Sequence, residues 1–366
     1  MEGFSLETYL SNGVERIVKG IMKASLKNPK ASIFMAQHGM DSKRARTLRE
    51  QAEQNGEHIP PFLIASITNQ CNLHCKGCYA RANKSCVDHA NQAGLMSAQE
   101  WGDVFTQAEE LGIEFILLAG GEPFVRKDVL EMAGEHSTLI FPIFTNGTMI
   151  EAEYLTLLEK HRNLMPVLSI EGSEQTTDDR RGVGIYQKLQ DTMQTLHKKG
   201  ILFGASVTVT TENMKEVLSE EFVTNLSAVG CKAVVYVEYV PMNEESRALA
   251  PGDAERAWMN DRLAELRLAE ENMVFVSFPG DEKTSGGCLA AGRGFFHINA
   301  NGGAEPCPFS PYSDTSVRTT PLREALHSPL FVKLQNNGNL TETHVGGCVL
   351  FEQKEQVEAL LMESRS

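Results

Sequence analysis

The segment FLIASITNQCNLHCKGCYAR, residues 62–81, decides how the rest of this chain is interpreted. Its first seven residues are mostly apolar, which predicts a buried strand that ends at Thr68. Three cysteines follow almost at once, with the spacing C-x3-C-x2-C: Cys71, Cys75 and Cys78. The sequence therefore predicts a loop at the end of a strand that presents three thiolates together.

Three clustered thiolates favour an iron–sulfur cluster with an open position. A closed structural zinc site takes four ligands, and ferredoxin patterns supply four cysteines to each cluster. Three protein thiolates on a [4Fe-4S] cluster would leave one iron free to bind a cofactor or a substrate. The alternatives are a zinc knuckle or separate buried cysteines.

The composition sets broad limits on function. The net charge of −14 argues against a surface that neutralises nucleic-acid phosphates, so we expect no nucleic-acid partner. The N-terminal residues lack a basic segment followed by an apolar one, and no apolar run has the length of a membrane span. Eight cysteines, three of them clustered, suit metal chemistry in a reducing compartment. We therefore expect a cytoplasmic protein and no membrane partner.

Strands and helices alternate after Pro60. One helix opens with the capping box Ser97-x-x-Glu100. Six apolar segments, each followed by a helical pattern, are the predicted strands: 62–68, 115–120, 139–145, 166–170, 203–210 and 233–240. Six consecutive strand–helix units predict an α/β fold whose parallel sheet curls into a partial (β/α)6 TIM-like barrel.

Two further regions flank this core, which we place at residues 59–272. Residues 1–58 are predicted to be helical, because apolar residues recur there at helical spacing. One interpretation is an interfacial helix on anionic lipid, and the one we favour is a helical cap packed on the core. Residues 273–366 are predicted to form a small C-terminal subdomain with a hairpin around Asn301-Gly302-Gly303.

A second motif, Gly120-Gly121-Glu122-Pro123, ends the second predicted strand. Glycines let the backbone approach a ligand closely, and a carboxylate beside them can hold an ammonium group. Together with the cysteine motif after the first strand, this arrangement resembles the radical S-adenosylmethionine (SAM) enzymes over about residues 60–245. The resemblance implies that the cysteines hold a [4Fe-4S] cluster and that the glycine-rich motif binds the amino group of SAM.

The resemblance also implies SAM-binding residues at the ends of later strands. The third strand ends in FTNGT, and the fourth is followed by a segment with an Arg-Gly pair. Many members have an aromatic residue before the third cysteine, where this chain has Gly77; Tyr79 follows that cysteine instead and is the candidate to stack on adenine. The candidate cofactor-binding residues are Gly120, Gly121, Glu122, Asn146, Ser169, Glu171, Arg181 and Tyr79.

Three more cysteines lie in the C-terminal subdomain: Cys288, Cys307 and Cys348. The segment GCLAAGRGFFHINANGGAEPCPF resembles the start of a twitch subdomain, the shorter relative of the SPASM domain, which implies an auxiliary [4Fe-4S] cluster. Twitch subdomains commonly end in C-x2-C, but Val345 stands at the first of those two positions. The auxiliary cluster would then have an open iron, or a remote fourth ligand such as Cys86 or His344. The alternative is that these cysteines are buried and structural.

Strand parity supplies candidates for the lining of the barrel. Side chains two apart share a face, so Tyr236 and Glu238 lie on the same side of the sixth strand. Polar groups on a strand that is covered on both faces are costly unless they face a wet or ligand-filled interior. We therefore predict that Tyr236 and Glu238 line the cavity and take part in catalysis.

The resemblance implies a type of reaction. The cluster and SAM together generate a 5′-deoxyadenosyl radical, which abstracts hydrogen from a substrate C–H bond. An auxiliary cluster would imply a net oxidation, and a flavodoxin or ferredoxin would supply the electron for SAM cleavage. The first candidate substrate is a peptide or protein side chain, and the second is a small molecule such as a tetrapyrrole. A non-catalytic iron–sulfur electron carrier is a third interpretation, which the GGEP motif disfavours.

Overall fold

The computed structural model describes residues 5–25, 29–88, 94–241, 243–281, 286–338, 340 and 348–365. The strands of these residues are β1 (Phe62–Thr68), β2 (Phe115–Gly120), β3 (Phe141–Thr145), β4 (Leu164–Ser169), β5 (Gly204–Val209), β6 (Ala233–Glu238), β7 (Val274–Phe278), β8 (His297–Ile298), β9 (Gly303–Glu305) and β10 (Thr315–Ser316). They form one sheet with the order β10-β9-β8-β1-β2-β3-β4-β5-β6-β7.

Helices connect and cover these strands. The N-terminal helices are α1 (Leu6–Ser25) and α2 (Pro29–Gln54). Between β1 and β7 lie α3 (Tyr79–Ala82), α4 (Ala98–Leu111), α5 (Lys127–Glu135), α6 (Ala152–Lys160), α7 (Glu174–Arg181), α8 (Ile185–Lys198), α9 (Met214–Val217), α10 (Glu220–Ala228), α11 (Asp253–Ala269) and the 3-10 turns Pro123–Val125 and Arg247–Leu249. The C-terminal helices are α12 (Leu322–Ala325), α13 (Pro329–Asn336), α14 (Val349–Glu352) and α15 (Lys354–Ser364).

The sheet is the partial barrel that the sequence predicts. Strands β1 to β7 are parallel and follow one another in chain order. The capping box forms at the start of α4, where the Ser97 hydroxyl accepts from the Glu100 N–H and the Glu100 carboxylate accepts from the Ser97 N–H. The carboxyl ends of the parallel strands all lie at one edge of the sheet, which is where the cysteine loop begins.

The sheet extends beyond the six predicted strands at both sides. β7 adds a seventh parallel strand after α11, although no helix among the described residues follows it directly. The predicted hairpin is β8–β9, and β8 pairs in parallel with β1. Both strands lie C-terminal to residue 272, so the C-terminal region shares the sheet of the core. The helical pattern that follows the fifth strand forms two helices, α9 and α10.

The strands have two chemically different faces. On β1, Leu63, Ala65 and Ile67 are fully buried and belong to the main core, together with α4 residues such as Trp101 and Phe105. The alternate residues Phe62, Ile64 and Ser66 of β1 are only partly buried. The helices therefore cover the outer face of the sheet, and the alternate side chains face the concave interior.

The N-terminal helices close the lower end of the barrel. Val14, Val18 and Ile21 of α1 form a second apolar cluster with Met35 of α2. The same cluster includes residues at the amino ends of the strands or just before them: Phe115, Ile140, Met165 and Leu202. The apolar side of α1 therefore packs on the barrel, as expected for the helical cap.

No helix in the described part of the chain combines the length and the apolar character needed to cross a bilayer.

A buried charged network joins this cap to the barrel. Arg49 of α2 is 1% exposed and lies between Glu7 of α1 and Glu114, which precedes β2. Its Nη1 is 2.8 Å from Glu114 Oε1 and donates to the Gly112 carbonyl oxygen at 2.6 Å. Its Nη2 donates to Ser11 Oγ at 3.1 Å. Burial raises the pKa of Glu114, and the neighbouring guanidinium opposes this shift.

Replacement of Arg49 should strongly destabilise the protein, because it would leave two buried carboxylates without their cation. We expect Arg49→Met to lower the free energy of unfolding by ~3–5 kcal/mol. Arg46→Met is the matched control, since Arg46 pairs with Glu50 at 2.8 Å on the exposed side of α2 and should matter by less than ~1 kcal/mol. Urea unfolding followed by circular dichroism measures both. Equal losses in the two variants would contradict a role for the buried network.

Candidate active site

The cysteine loop begins directly after β1 at the carboxyl edge of the sheet. Cys71, Cys75 and Cys78 are all partly exposed. The Cys71 N–H donates to the Val87 carbonyl oxygen at 3.3 Å, and the Lys76 N–H donates to the Arg180 carbonyl oxygen at 2.8 Å. Backbone contacts on two sides therefore fix the loop, and the three thiols lie on one short segment.

Positive charge and a buried thiol flank this loop. Arg181 Nη1 lies 3.9 Å from Cys75 Sγ. The buried thiol of Cys86 donates a hydrogen bond to Cys71. This hydrogen bond, together with the positive charges of Arg81 and Arg181, lowers the pKa of Cys71 to about 6. Burial raises the pKa of Cys75. Cys86 therefore lies against a predicted ligand of the first cluster.

Two buried polar atoms near the loop have no hydrogen-bond partner among the described residues: Arg181 Nε and the Tyr239 hydroxyl oxygen. Such groups are costly to bury unless a ligand satisfies them. Among the described residues, no three His, Cys, Asp or Glu side chains are arranged to hold a single metal ion. A [4Fe-4S] cluster needs a different arrangement, since each thiolate binds its own iron, and the three thiols with adjacent arginines fit it. In the enzymes that the sequence resembles, such a cluster supplies the electron that cleaves SAM, and here Cys71, Cys75 and Cys78 would hold it.

The two glycines of the GGEP motif let neighbouring strand ends touch. A Cβ on Gly120 would lie 2.2 Å from the Thr68 carbonyl oxygen, and one on Gly121 would lie 2.0 Å from the Gln70 carbonyl oxygen. Gly120 also has a φ of 122°, which favours glycine. The close approach that these glycines permit in the structure is therefore to the backbone just ahead of Cys71, and close approach to a ligand stays a prediction.

Glu122 is 1% exposed, and its carboxylate is held by three donors. Oε1 accepts from Thr145 Oγ1 at 2.7 Å and from the Phe124 N–H at 3.1 Å, and Oε2 accepts from the Asn146 N–H at 2.8 Å. Burial raises the pKa of Glu122 to about 7, although these hydrogen bonds oppose the shift. Glu122 therefore ties the end of β2 to the end of β3. Its binding of an ammonium group stays a prediction.

Asn146 extends this connection to the cysteine loop. Its Nδ2 donates to Asn72 Oδ1 at 2.8 Å, and Asn72 in turn donates to Thr148 Oγ1 at 2.9 Å. Asn72 lies between the first two cysteines of the motif and was not among the expected site residues. The loop after β3 therefore holds the cysteine loop in place through an amide pair.

The segment after β4 contributes a buried carboxylate and two arginines. Glu171 is fully buried and forms ion pairs with Arg181 and with Arg180, the latter at 3.2 Å. Glu171 Oε2 also accepts from the Thr208 N–H on β5 at 3.0 Å. Ser169 is partly buried at the end of β4. The structure therefore places Ser169, Glu171 and Arg181 at the same edge as the cysteine loop.

Two tyrosines flank the third cysteine. The Tyr79 ring packs on Phe309 with ring centroids 4.8 Å apart, so it connects the cysteine loop to the C-terminal region. Tyr239, which follows β6, fills the space beside Gly77, where a Cβ would lie 2.7 Å from its hydroxyl oxygen. The Arg180 guanidinium lies 5.8 Å from the centre of the Tyr239 ring. Stacking of Tyr79 on adenine stays a prediction, and the aromatic ring beside Gly77 belongs to Tyr239.

The expectation that Tyr236 and Glu238 line the cavity is wrong. Tyr236 is fully buried, and its hydroxyl donates to the Val217 carbonyl oxygen of α9 at 2.8 Å. Glu238 Oε2 accepts from Arg256 Nε of α11 at 2.7 Å. Both polar groups therefore have partners on the outer, helix-covered face. Parity correctly puts them together, but it does not tell which face they occupy.

The three tail cysteines lie in loops around the C-terminal helices. Cys307 is 3% exposed just after β9, whereas Cys288 and Cys348 are partly buried. The Cys288 N–H donates to the Leu340 carbonyl oxygen at 2.8 Å, and Cys348 precedes α14. His344 and Val345, which bear on the fourth ligand, lie outside the described residues. The auxiliary cluster stays a prediction.

Replacement of Glu122 by Gln should destabilise the fold as well as weaken SAM binding. In either orientation the NH₂ of the glutamine would face a hydrogen-bond donor. At the Oε2 position it would meet the Asn146 N–H, and at the Oε1 position it would meet the Thr145 hydroxyl and the Phe124 N–H. We expect Glu122→Gln to lower the free energy of unfolding by ~1–3 kcal/mol. Denaturant unfolding of the metal-free protein measures this effect. The control is Glu153→Gln, which removes an exposed pair with Lys127 and should change stability by less than ~1 kcal/mol. Unchanged stability in Glu122→Gln would show that the carboxylate does not hold β2 and β3 together.

Comparisons with known proteins agree with this geometry. The radical SAM superfamily model matches residues 65–220. The AdoMet-dependent heme synthase of Methanosarcina barkeri is 27% identical over 80% of this chain and 89% of its own length. The sporulation killing factor maturation protein SkfB of Bacillus subtilis is 28% identical over 44% of this chain and 38% of its own.

A similar fold occurs in the crystal structure of Streptococcus suis SuiB bound to the precursor peptide SuiA. The TM-score is 0.63 at 18% identity, over 80% of this chain and 71% of that one. The residues that match the radical SAM superfamily model, 65–220, contain the three cysteines and the GGEP motif. Both motifs lie at the strand ends where the sequence resemblance places them. The resemblance is confirmed: residues 65–220 form a radical SAM domain, and the chain is an enzyme.

Proposed function

We propose that this enzyme uses the 5′-deoxyadenosyl radical to abstract hydrogen from a tetrapyrrole side chain in an oxidative step. The observation that supports this substrate is the extent of the match to the AdoMet-dependent heme synthase, which includes both the barrel and the C-terminal region. The match to SkfB covers 44% of this chain, which is shorter than the barrel core itself. The tetrapyrrole, the second candidate from the sequence, therefore becomes the first.

A peptide or protein side chain remains the second candidate. The solved structure with a similar fold holds a precursor peptide, and it aligns over as much of this chain as the heme synthase does. Likeness at 18% identity supports a common fold only. The peptide therefore needs an independent functional test.

The test is turnover of a defined tetrapyrrole under anaerobic conditions. We choose iron-coproporphyrin III, which carries propionate side chains where heme carries vinyl groups. Enzyme with reconstituted iron, SAM and dithionite should convert it to heme, with 5′-deoxyadenosine as co-product, and mass spectrometry measures both. The variant Cys71→Ala/Cys75→Ala/Cys78→Ala is the control and should form neither product, because alanine cannot replace a thiolate ligand.

Release of 5′-deoxyadenosine without formation of heme would contradict the proposal that the substrate is a tetrapyrrole. The genes beside the one encoding this chain would then supply the next probe, since a short precursor peptide encoded there would support the second candidate. Flavodoxin or ferredoxin is the proposed physiological electron donor, and either should replace dithionite.

We also propose that Cys288, Cys307 and Cys348 hold an auxiliary [4Fe-4S] cluster. Conversion of a propionate to a vinyl group releases CO₂ and one electron beyond the abstracted hydrogen, so an electron acceptor is needed. The tail cysteines are the thiolates of the C-terminal region that could hold one. Thiolate is the ligand that such clusters require.

Iron counting tests this second cluster. Reconstituted wild-type enzyme should hold about eight irons, as expected for two [4Fe-4S] clusters. The variant with all three tail cysteines changed to Ala should hold about four irons, as expected for one cluster. Cys231→Ala is the control, because its thiol donates to the Ala233 carbonyl oxygen in the core and should not affect iron content. About four irons in the wild type, with Mössbauer spectra unchanged in the tail variant, would leave these cysteines structural.

A further inference from the structure

A chain of four polar side chains crosses the junction between β1 and the C-terminal hairpin. His297 of β8 is 4% exposed and has partners on both ring nitrogens. Its Nε2 is 2.7 Å from Ser66 Oγ of β1, and its Nδ1 is 2.7 Å from Glu305 Oε2 of β9. Asn299 Nδ2 donates to the other oxygen of Glu305 at 2.6 Å. None of these residues is part of the SAM site described above.

The carboxylate fixes the direction of the hydrogen bonds. An ionised carboxylate only accepts, so the imidazole carries its proton on Nδ1 and donates it to Glu305. The Nε2 of the neutral ring is then an acceptor, and the Ser66 hydroxyl is its donor. Asn299 occupies the second carboxylate oxygen and holds Glu305 in this orientation.

The two ends of the chain differ in their exposure. His297 and Glu305 are buried, at 4% and 6% exposed, so no substrate reaches them directly. Ser66 is partly exposed and lies on the concave face of β1, opposite the fully buried Ala65 and Ile67. It is also five residues before Cys71 on the same strand and loop. The open end of the chain is therefore the Ser66 hydroxyl, in the interior of the barrel.

We propose that Ser66, His297 and Glu305 form an acid–base site in the barrel interior, through which a bound substrate gives up a proton. A hydroxyl next to a base that is itself oriented by a carboxylate is the arrangement that activates hydroxyl groups in enzymes. The ligand is a substrate with an acidic O–H or N–H group near the carbon that reacts. This role is separate from SAM cleavage and does not depend on the tetrapyrrole proposal.

The proton transfer balances without any redox partner. The substrate X–H gives its proton to Ser66 Oγ while the Ser66 O–H proton moves to His297 Nε2. The products are X⁻ and an imidazolium, which Glu305 stabilises through Nδ1–H. Ser66 contacts the substrate, His297 is the base, and Glu305 and Asn299 are positioning residues.

A purely structural network would predict different chemistry. Hydrogen bonds between β1 and the hairpin could simply satisfy buried polar groups. In that case the Ser66 hydroxyl would be no more reactive than an ordinary serine. Ser206 provides the comparison, because it lies on the concave face of β5, opposite the fully buried Ala205 and Val207, and is 8% exposed.

The test measures the reactivity of Ser66 towards diisopropyl fluorophosphate in the reconstituted holoenzyme. Peptide mass spectrometry should find the adduct on Ser66 and none on Ser206. His297→Gln should slow labelling of Ser66 by at least about 100-fold, the contribution typical of a general base. Glu305→Gln should also slow it, because the base loses its oriented tautomer. Ser206→Ala is the matched control and should leave labelling of Ser66 unchanged.

The outcomes separate activation from structure. No adduct on Ser66 in the wild type, or the same rate in His297→Gln, would overturn the proposal. If His297→Gln does not fold, as judged by its iron content and thermal midpoint, Glu305→Gln decides alone, and an unchanged rate there overturns it. Failure of heme synthesis does not affect this result, since the probe needs neither SAM nor the substrate.

Discussion

The buried carboxylate of Glu122 is the constraint on which the active edge depends. It gathers donors from its own turn and from the end of β3, while the glycines before it press β2 against the backbone of β1. Three strand ends are thereby locked in one arrangement, and the cysteine loop starts from it. A carboxylate can do this because it accepts several hydrogen bonds in a small space, which no neutral side chain of that size can match.

The same principle appears on the other side of the loop. Glu171 gathers Arg180 and Arg181, and the Arg180 backbone then accepts from Lys76 inside the cysteine loop. Each buried acid therefore satisfies several donors from different elements and helps to hold the cysteine loop through hydrogen bonds. The buried Nε of Arg181 has no hydrogen-bond partner among the described residues, so these protein groups alone do not complete the network.

Much of the fold follows from the sequence, because local patterns determine local structure. Apolar runs give β1 and β2 at their observed bounds, and the capping box gives the start of α4. The cysteine and GGEP motifs fall at the carboxyl ends of these strands as predicted. The face predicted for Tyr236 and Glu238 is wrong because their partners, Val217 and Arg256, come from helices that no local pattern connects to β6. The opposite parity would have indicated Tyr239.

The C-terminal region is where sequence reasoning is least complete, and the cause is long-range pairing. The hairpin is visible from its Asn-Gly-Gly turn, but its parallel pairing with β1 joins residues more than two hundred positions apart. That pairing sets His297 beside Ser66, and the antiparallel return sets Glu305 beside His297. A serine, a histidine and a glutamate are unremarkable in sequence, and only the sheet register makes them neighbours. The tail therefore supplies the imidazole and the carboxylate that stand behind Ser66, and a substrate in the barrel interior would contact this network through the Ser66 hydroxyl.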